Sequence, residues 1–345
     1  MAQGRVTIVD VASRAGVSKS AVSFALNGRP GLAEETRQRI LDVAREMGWS
    51  PSQRGRSLAV SRAFAVGLIL ARAPELIGSD PFYPSFIAGA EAVLSKSGYS
   101  LLLQVLDDPA READAYHRLA TEGRVDGVFL SDMRHGDPRI AMLTELGLPA
   151  VTLNRSNISS PFPAVCLDDN APGITVATRH LIELGHRRIA HVTGPVEFMH
   201  AVRRRDAWGA ALADAGVPEG PVVVSDFTAS GGAAATRELL SLEEPPTAIV
   251  YANDLMAMAG MVVAQDLGFP VPQRLSVTGF DDTELAAYVS PALTTVRTSP
   301  FAWGQHAAQT LLQFIDAGSA PDVELDSPEL VIRTSTARPL EPPLT

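Results

Sequence analysis

A regular alternation of short apolar segments with amphipathic segments constrains the fold of this chain more than any other feature. It begins near Phe64, where AVGLIL is followed by an amphipathic stretch and then by SLLLQV, and it continues through GVFL and PAVTL. Strands that are separated by helices of about 10–15 residues pair in parallel and connect through right-handed crossovers. The alternation therefore predicts parallel sheets with helices on their faces.

The alternation falls into two series, which predicts two similar α/β lobes. The second series contains the apolar segments RIAHVTG, VVVSDF, TAIVYAN and LSVTGF. Parallel sheets of this kind bind ligands at the carboxyl ends of their strands, so we expect a ligand site between the lobes. The predicted lobes comprise residues 63–162 with about 294–322, and residues 163–293 with about 323–345.

Composition excludes several other classes of protein. The 345 residues are 46% hydrophobic and 20% charged, which is typical of a globular chain with two or three units and excludes a disordered one. No apolar run approaches the roughly 18–20 residues that a membrane-spanning helix needs, and the amino terminus lacks the apolar core of a secretory signal. Cys166 is the only cysteine, so an internal disulfide is excluded. These features predict a cytoplasmic protein without a membrane partner.

The first 62 residues differ from the rest in charge. They contain ten Arg or Lys residues and five acidic residues, so they carry +5, whereas the remainder of the chain carries −15. The overall charge of −10 therefore conceals a basic head on an acidic body. A basic head indicates a polyanionic partner for the head alone.

Short helices are predicted within this head. Thr7 with Asp10 three residues later has the pattern of a capping box, and Ser18 is placed to cap a second helix. We divide the head into a helix-turn-helix segment, residues 1–50, and a basic linker, residues 51–62. A plain three-helix bundle with a solvated basic face explains the charge equally well, so charge alone leaves the function of the head open.

Two segments of the head carry a more specific signal. VTIVDVASRAGVSKSAVSFALNG, residues 6–28, and TRQRILDVAREMGWSPSQRGRSLA, residues 36–59, resemble the headpiece of the lactose-repressor (LacI/GalR) family of bacterial transcription regulators. The body resembles the same family in a series of motifs: DN at 169–170, HLIELGHRRIAHVTGP at 180–195, YANDLMAMA at 251–259, TGFDD at 278–282 and PALTTVR at 291–297. The resemblance implies an all-α helix-turn-helix headpiece and a hinge helix, joined to a two-lobed α/β core like that of periplasmic binding proteins.

The resemblance also assigns DNA contacts to the head. In helix-turn-helix proteins the second helix lies in the major groove, and its early residues reach the base edges. The implied base-reading residues are Lys19, Ser20 and Phe24, and the implied phosphate contacts are Thr7, Ser18, Ser23 and Asn27. Phe24 stands where the family often has Arg, so it is expected to pack on a thymine methyl rather than to bind guanine.

The basic linker resembles the hinge helix of the family. There, hinges from two subunits enter the minor groove, and Leu58 matches the leucine that wedges into the central base step. Arg54 and Arg56 flank the wedge. Gly55 lowers the helix propensity of the segment, so the hinge is expected to fold only on DNA. The alternative role for Leu58 is that of a buried linker anchor.

In the body, the resemblance implies a small-molecule site at the lips of the cleft between the lobes. Arg204 and Asp281 match a charged pair that brackets ligand hydroxyls through charge-assisted hydrogen bonds. The complete implied set is Phe82, Tyr83, Asp169, Arg204, Phe227, Asn253 and Asp281. Structural roles stay open for several of them: packing for the three aromatic residues, and helix capping for Asp169 or for Asp254, the neighbour of Asn253.

Catalysis finds no support in the sequence. Walker, dinucleotide-binding and GxSxG patterns are missing, and the histidines are too scattered for a zinc site. We therefore predict a transcription regulator, most simply a repressor, rather than an enzyme. We expect a homodimer that binds a pseudo-palindromic operator in double-stranded DNA. A mono- or disaccharide effector is expected to control that binding, and no cofactor or metal is expected. The open alternatives are a corepressor-dependent regulator that senses a nucleobase or a sugar phosphate, and a solute-binding protein.

Overall fold

Short helices make up most of the described part of the amino-terminal unit. The computed structural model describes residues 6–26, 30–49, 62–72, 77–78, 80–167 and 172–340. The chain divides into a unit of Met1–Ala63 and a second unit of Phe64–Thr345. The helices among the described residues of the first unit are α1 (Ile8–Ala15), α2 (Lys19–Leu26) and α3 (Glu34–Glu46). The helices predicted for the helix-turn-helix segment are confirmed, and the predicted hinge helix lies outside the described residues.

Local hydrogen bonds fix the starts of α1 and α2. The Asp10 carboxylate accepts hydrogen bonds from the Thr7 backbone N–H at 2.8 Å and from the Thr7 hydroxyl at 2.7 Å. The Ser18 hydroxyl oxygen accepts a hydrogen bond from the Ala21 N–H at 3.1 Å. Gly16, between the two helices, has a φ of 68°, which glycine adopts without steric cost. Both helix starts are therefore capped as the sequence predicts.

The three helices enclose an apolar core of their own. Val11, Val22 and Ile40, one from each helix, are fully buried within it. Burial of apolar side chains against one another is the main favourable contribution to folding. The amino-terminal unit therefore has the separate core that an independent domain requires.

The first lobe of the second unit is built on a parallel sheet. Its strands are β1 (Ala65–Leu70), β2 (Ser100–Val105), β3 (Gly127–Leu130), β4 (Ala150–Leu153), β5 (Ala164–Cys166) and β11 (Val323–Glu324). Their spatial order is β2-β1-β3-β4-β5-β11. The helices of this lobe are α4 (Phe82–Leu94), α5 (Glu112–Thr121), α6 (Pro138–Glu145) and α11 (Pro300–Ala317). The carboxyl ends of all six strands meet at one edge of the lobe, because all neighbouring strands are parallel.

The second lobe repeats this arrangement. Its strands are β6 (Ile189–Thr193), β7 (Val222–Val224), β8 (Ala248–Tyr251), β9 (Ser276–Asp281), β10 (Thr294–Arg297) and β12 (Glu329–Val331). Their order is β7-β6-β8-β9-β10-β12, and only the β10–β12 pair is antiparallel. The helices are α7 (Pro172–Glu183), α8 (Met199–Asp214), α9 (Ala229–Leu240) and α10 (Asp254–Asp266). Two α/β lobes with parallel sheets are thus confirmed.

The boundaries between the lobes differ from the predicted ones. β5 and β11 were assigned to the second lobe, with boundaries at 163 and 323, but both pair within the first sheet. β10 was assigned to the first lobe, with a boundary at 294, but it pairs with β9 of the second. The chain crosses between the lobes three times, after β5, after β10 and after β11. The prediction was wrong because β5 and β11 have only three and two residues, too few to show a period-two pattern.

The helices of the described residues are those of a globular protein. The longest of them is α11, with 18 residues. Across the described ranges, no helix combines enough length with enough apolar character to cross a lipid bilayer.

Candidate functional site

The predicted DNA-reading side chains of the head lie on its surface. Those that are exposed are Thr7, Ser18, Lys19, Ser20 and Phe24, and Ser23 is half-buried. On the opposite side of α2, Val22 and Ala25 are buried in the core of the head. α2 is therefore oriented as a recognition helix requires, with its reading side outward. The individual DNA contacts stay predictions.

Arg37 of α3 fixes the carboxyl end of α2. Its Nη1 atom donates a hydrogen bond to the Ala25 carbonyl oxygen at 3.2 Å, and its Nε atom lies 3.7 Å from the Glu34 carboxylate. The last carbonyl groups of a helix have no partner within the helix, and a cation there also interacts favourably with the helix dipole. Arg37 thereby holds α2 against α3.

Several predicted site residues lie outside the described residues. They are Asn27 of the head, Arg54, Gly55, Arg56 and Leu58 of the linker, and Asp169 of the body. Their DNA or effector contacts stay predictions.

A cleft of about 120 Å³ lies between the lobes, where the carboxyl ends of both sheets meet. Six of the predicted effector residues line it together: Phe82, Tyr83, Arg204, Phe227, Asn253 and Asp281. Its lining also includes polar and aromatic residues that sequence reasoning missed, among them Arg72, Asp80, Asp132, Asn154, His200 and Trp303. Arg72, Asp132 and Asn154 each follow a strand by one or two residues. Proximity to the end of a strand was therefore the signal that could have found them.

Arg72 and Asp132 form a buried ion pair on the first-lobe side of the cleft. Arg72 donates from Nε and Nη2 to the two carboxylate oxygens of Asp132, at 2.7 and 2.6 Å. The Tyr83 hydroxyl donates to the same carboxylate at 3.0 Å. Burial opposes ionisation of Asp132, but the Arg72 guanidinium outweighs burial and lowers the pKa of Asp132 to about 2. Asp132 is therefore ionised at neutral pH.

The second-lobe side of the cleft presents Arg204 and Asp281. The Arg204 Nη1 atom donates to the Ala252 carbonyl oxygen at 2.6 Å, and the guanidinium lies over the Phe280 ring, 3.8 Å from its centroid. Burial raises the pKa of Asp281 well above its usual value, and the charge of Arg204 partly opposes this shift. Arg204 and Asp281 both belong to the part of the chain that the structure describes, and they do not form an ion pair within 4 Å. A ligand hydroxyl can therefore be placed between the two groups.

Asn253 has a structural role in addition to its place in the cleft. Its Oδ1 atom accepts a hydrogen bond from the Met256 N–H at 2.9 Å, and its Nδ2 atom donates to the Phe227 carbonyl oxygen at 2.9 Å. Asn253 is thus the N-cap of α10, and the alternative that Asp254 caps this helix is wrong. Asp254 is fully buried instead and accepts a hydrogen bond from the Thr283 N–H at 2.8 Å.

Aromatic rings provide two apolar surfaces in the cleft. In the first lobe, Phe82 and Trp303 meet edge to face, with ring centroids 5.7 Å apart. In the second lobe, His200 stacks on Phe227 at 5.6 Å. Burial and the positive charge of Arg204 lower the pKa of His200 to about 3, so this ring is neutral at physiological pH. Phe227 is a buried core residue that also lines the cleft, and its contact with an effector stays a prediction.

The backbone of the cleft contains a group of non-glycine residues in the left-handed region. Their φ angles are 52° for Asp132, 86° for Asn154, 68° for Phe227, 119° for Asp281 and 54° for Asp282. All five follow or end strands at the carboxyl edges of the two sheets. Each such residue costs of order 1–3 kcal/mol, and such costs concentrate at functional sites.

Across the described residues, no three His, Cys, Asp or Glu side chains are arranged to hold a metal ion. The polar side chains and the rings of the cleft lining offer hydrogen bonds and aromatic surfaces to a small organic molecule.

Family models match both units of the chain. The model for bacterial regulatory proteins of the lacI family matches residues 7–52, and the model for a periplasmic binding protein-like domain matches residues 178–336. The match places a DNA-binding helix-turn-helix and an effector-binding core on one chain. This combination defines a transcription regulator whose DNA binding is controlled by a small molecule.

Known proteins resemble the chain over almost its whole length. The HTH-type transcriptional repressor PurR of Klebsiella pneumoniae (strain 342) is 34% identical over 337 residues, which are 96% of this chain and 97% of PurR. A solved complex of the transcriptional regulator CelR with cellobiose is 31% identical, covers 96% of this chain and all of its own, and has a TM-score of 0.74. The lac repressor dimer bound to operator and the anti-inducer ONPF is 26% identical, with coverage of 96% and 99% and a TM-score of 0.84. The chain therefore belongs to the lacI family of bacterial regulatory proteins.

Proposed function

We propose that this regulator represses transcription as a homodimer on a pseudo-palindromic operator, and that an uncharged mono- or disaccharide in the cleft releases it. The charge balance of the cleft carries the saccharide assignment. Its charged lining residues are the cations Arg72, Arg203 and Arg204 and the acids Asp80, Asp132 and Asp281. A phosphate or carboxylate ligand binds best to guanidinium groups that lack other partners. The acids equal the cations in number, and although burial raises the pKa of Asp80 and Asp281, each cation already has an acceptor within the protein, which favours a neutral ligand.

Hydrogen bonding gives the same indication. Arg72 is paired with Asp132, and Arg204 and Arg203 donate to backbone carbonyl groups at 2.6 and 3.2 Å. The carboxyl groups of Asp80 and Asp281 supply acceptors for sugar hydroxyls, and the rings of Phe227 and Trp303 supply surfaces for the apolar faces of sugar rings. The relative CelR was solved with cellobiose. A neutral saccharide uses all of these groups without leaving a charge unpaired.

The effector acts by shifting a conformational equilibrium. A molecule that binds between two lobes favours the closed arrangement over the open one, and its differential affinity sets the size of the shift. Coupling between an effector site and a DNA site is typically about 1–3 kcal/mol. Release of the operator is the proposed direction for a saccharide.

An apolar strip on the second lobe supports the homodimer. Val262, which is 62% exposed, lines a groove together with Met258 and Val289, and Leu285 and Tyr288, four and one residues before Val289 in sequence, are 63 and 78% exposed. Clusters of exposed large apolar side chains mark protein interfaces. A second copy of the chain is the proposed occupant, since the lac repressor relative was solved as a dimer.

Fluorescence polarisation of the full-length protein on a labelled pseudo-palindromic duplex with a central CG step tests the proposed function. The candidate effectors added to the complex are cellobiose, other mono- and disaccharides, glucose 6-phosphate, and purine bases, at one fixed salt concentration. We expect the duplex to bind at least about 10³-fold more tightly than a scrambled duplex, and an uncharged saccharide to release it. Arg204→Met should bind the duplex normally and resist release.

Other outcomes of this titration separate the alternatives. If only a phosphorylated sugar or a purine base changes operator affinity, the neutral-saccharide assignment is wrong and the corepressor alternative takes its place. Failure to bind any family-like duplex at low salt, by a protein shown to be folded, would contradict the DNA-binding function itself.

The apolar strip yields a separate prediction about assembly. Val262→Asp should convert the dimer to a monomer in sedimentation equilibrium at micromolar concentration, because Val262 lines the groove and a carboxylate in an apolar interface loses its hydration. Ile332→Asp is the matched control, since Ile332 is also 61% exposed and does not line the groove. If both variants associate equally well, the apolar strip is not part of the dimer interface.

A further inference from the structure

One side chain of the second lobe is buried in the core of the first. Met199, the first residue of α8, is 2% exposed and packs in a cluster of first-lobe side chains that includes Leu106 and Met133. Its neighbours behave differently, since Phe198 and Ala201 belong to the apolar core of the second lobe. Met199 therefore bridges the two lobes.

The backbone joins the lobes at the same place. The Met199 N–H donates a hydrogen bond to the Met133 carbonyl oxygen at 2.8 Å, and Arg134 forms an antiparallel bridge with Phe198. Two segments from different lobes thus pair as a minimal sheet. None of these four described residues belongs to the set that lines the cleft.

This contact lies directly beside the cleft. Met133 follows Asp132 and Met199 precedes His200 in sequence, and both Asp132 and His200 line the cleft. Asp132 and His200 therefore face the ligand space, while the methionines next to them join the lobes. Any movement that withdraws Met199 from the first lobe also separates His200 from Asp132.

We propose that Met199 is a positioning residue, which latches the two lobes together and so sets the affinity of the cleft for its effector without touching the effector. The proposal rests on the proposed function in one respect, that the effector binds between the lobes. Withdrawal of Met199 returns apolar surface to water, which is unfavourable. The latch therefore keeps the closed arrangement populated. When that population falls, the apparent dissociation constant rises by the same factor.

Three variants of the full-length protein test the latch. Met199→Ala removes most of the apolar contact, whereas Met199→Leu retains apolar volume and should behave like the wild type. Leu239→Ala is the control for a general loss of stability. Leu239 is 1% exposed, belongs to the core of the second lobe, and lines neither the cleft nor the apolar groove.

Hydrogen exchange of overlapping peptides that begin at least two residues before Met199, measured without effector, reports on the latch directly. The Met199 amide is protected by its bond to Met133, and it exchanges when the lobes separate. We expect exchange at position 199 to be about tenfold faster or more in Met199→Ala, and close to wild type in the other two variants. Affinity for the saccharide that releases the operator should fall by about tenfold in Met199→Ala alone.

The outcomes are distinct. Unchanged exchange at position 199 in folded Met199→Ala, or equal acceleration in Leu239→Ala, would overturn the latch. Faster exchange with unchanged saccharide affinity would overturn its influence on the effector. If no saccharide binds the wild-type protein, the proposed effector fails, and the exchange experiment still decides whether the latch holds the lobes.

Discussion

A protein that lacks residues 1–63 is expected to lose all specific operator binding and to keep the effector affinity of the full chain. The head is a separate unit with its own apolar core. The outward face of α2 carries the predicted base-reading residues, and the rest of the chain has a net charge of −15, which repels DNA. Specific binding exceeds non-specific binding by about 10³-fold or more, so the expected loss is of at least that size.

Two titrations measure this result: fluorescence polarisation for the operator and isothermal calorimetry for the saccharide. Lys19→Ala in the full-length protein is the graded control. It should weaken operator binding by about 1–3 kcal/mol if Lys19 reads a base, while saccharide affinity stays constant. Specific operator binding by the truncated protein would show that the DNA-binding surface lies elsewhere.

The second large effect is expected at the ion pair in the cleft. Asp132→Asn should lower the free energy of unfolding by about 3 kcal/mol, because it leaves Arg72 buried without its counter-charge. Arg72 is 9% exposed, and the Asp132 side chain is 13% exposed. Asparagine tolerates the φ of 52° at this position, so the loss reports on charge rather than on backbone strain. Saccharide affinity should fall about tenfold or more with it.

A double variant separates stability from binding. Arg72→Met with Asp132→Asn removes both charges, and it should regain most of the lost stability without regaining saccharide affinity. Chemical denaturation and calorimetry provide the two measurements. Full recovery of binding in the double variant would mean that the pair has no part in ligand recognition.

The pH dependence of unfolding supplies an independent check on this pair. The folded pKa of Asp132 is about 2, below the ordinary value of 3.8. The stabilisation is therefore complete above pH 3.8 and is lost as the pH falls towards 2. Asp132→Asn should lack this part of the acid dependence.

Sequence patterns were sufficient for the long elements of the fold. Thr7, Asp10 and Ser18 cap the helices that their positions predict, because capping depends on atoms only three residues apart. The buried strands β1 and β8 are predicted by their apolar runs. The sheet to which β5 belongs was not predicted correctly, because three residues are too few to show a pattern. Its place is decided by pairing with β4 and β11.

Cleft residues that lie at the ends of recognisable strands could be predicted from the sequence. Asp281 could be found because it ends a recognisable strand within a family motif. His200 could not, since it lies in the first turn of α8 and its place in the cleft depends on how the lobes meet, which no local pattern encodes. The capping roles of Asn253 and Asp254 were likewise decided by side-chain geometry rather than by sequence order.

Positions in the cleft lining differ in how strongly the backbone restricts the side chain, because several of them have φ angles in the left-handed region. At Asp132, Asn154 and Asp281 the backbone favours glycine, asparagine or aspartate, so substitution there carries a folding cost whatever the effector. Phe82 and His200 lie in helices, where the backbone conformation places no comparable restriction on the side chain. New effector specificities should therefore arise at these helical positions, and libraries for engineering a sensor from this scaffold are best confined to them.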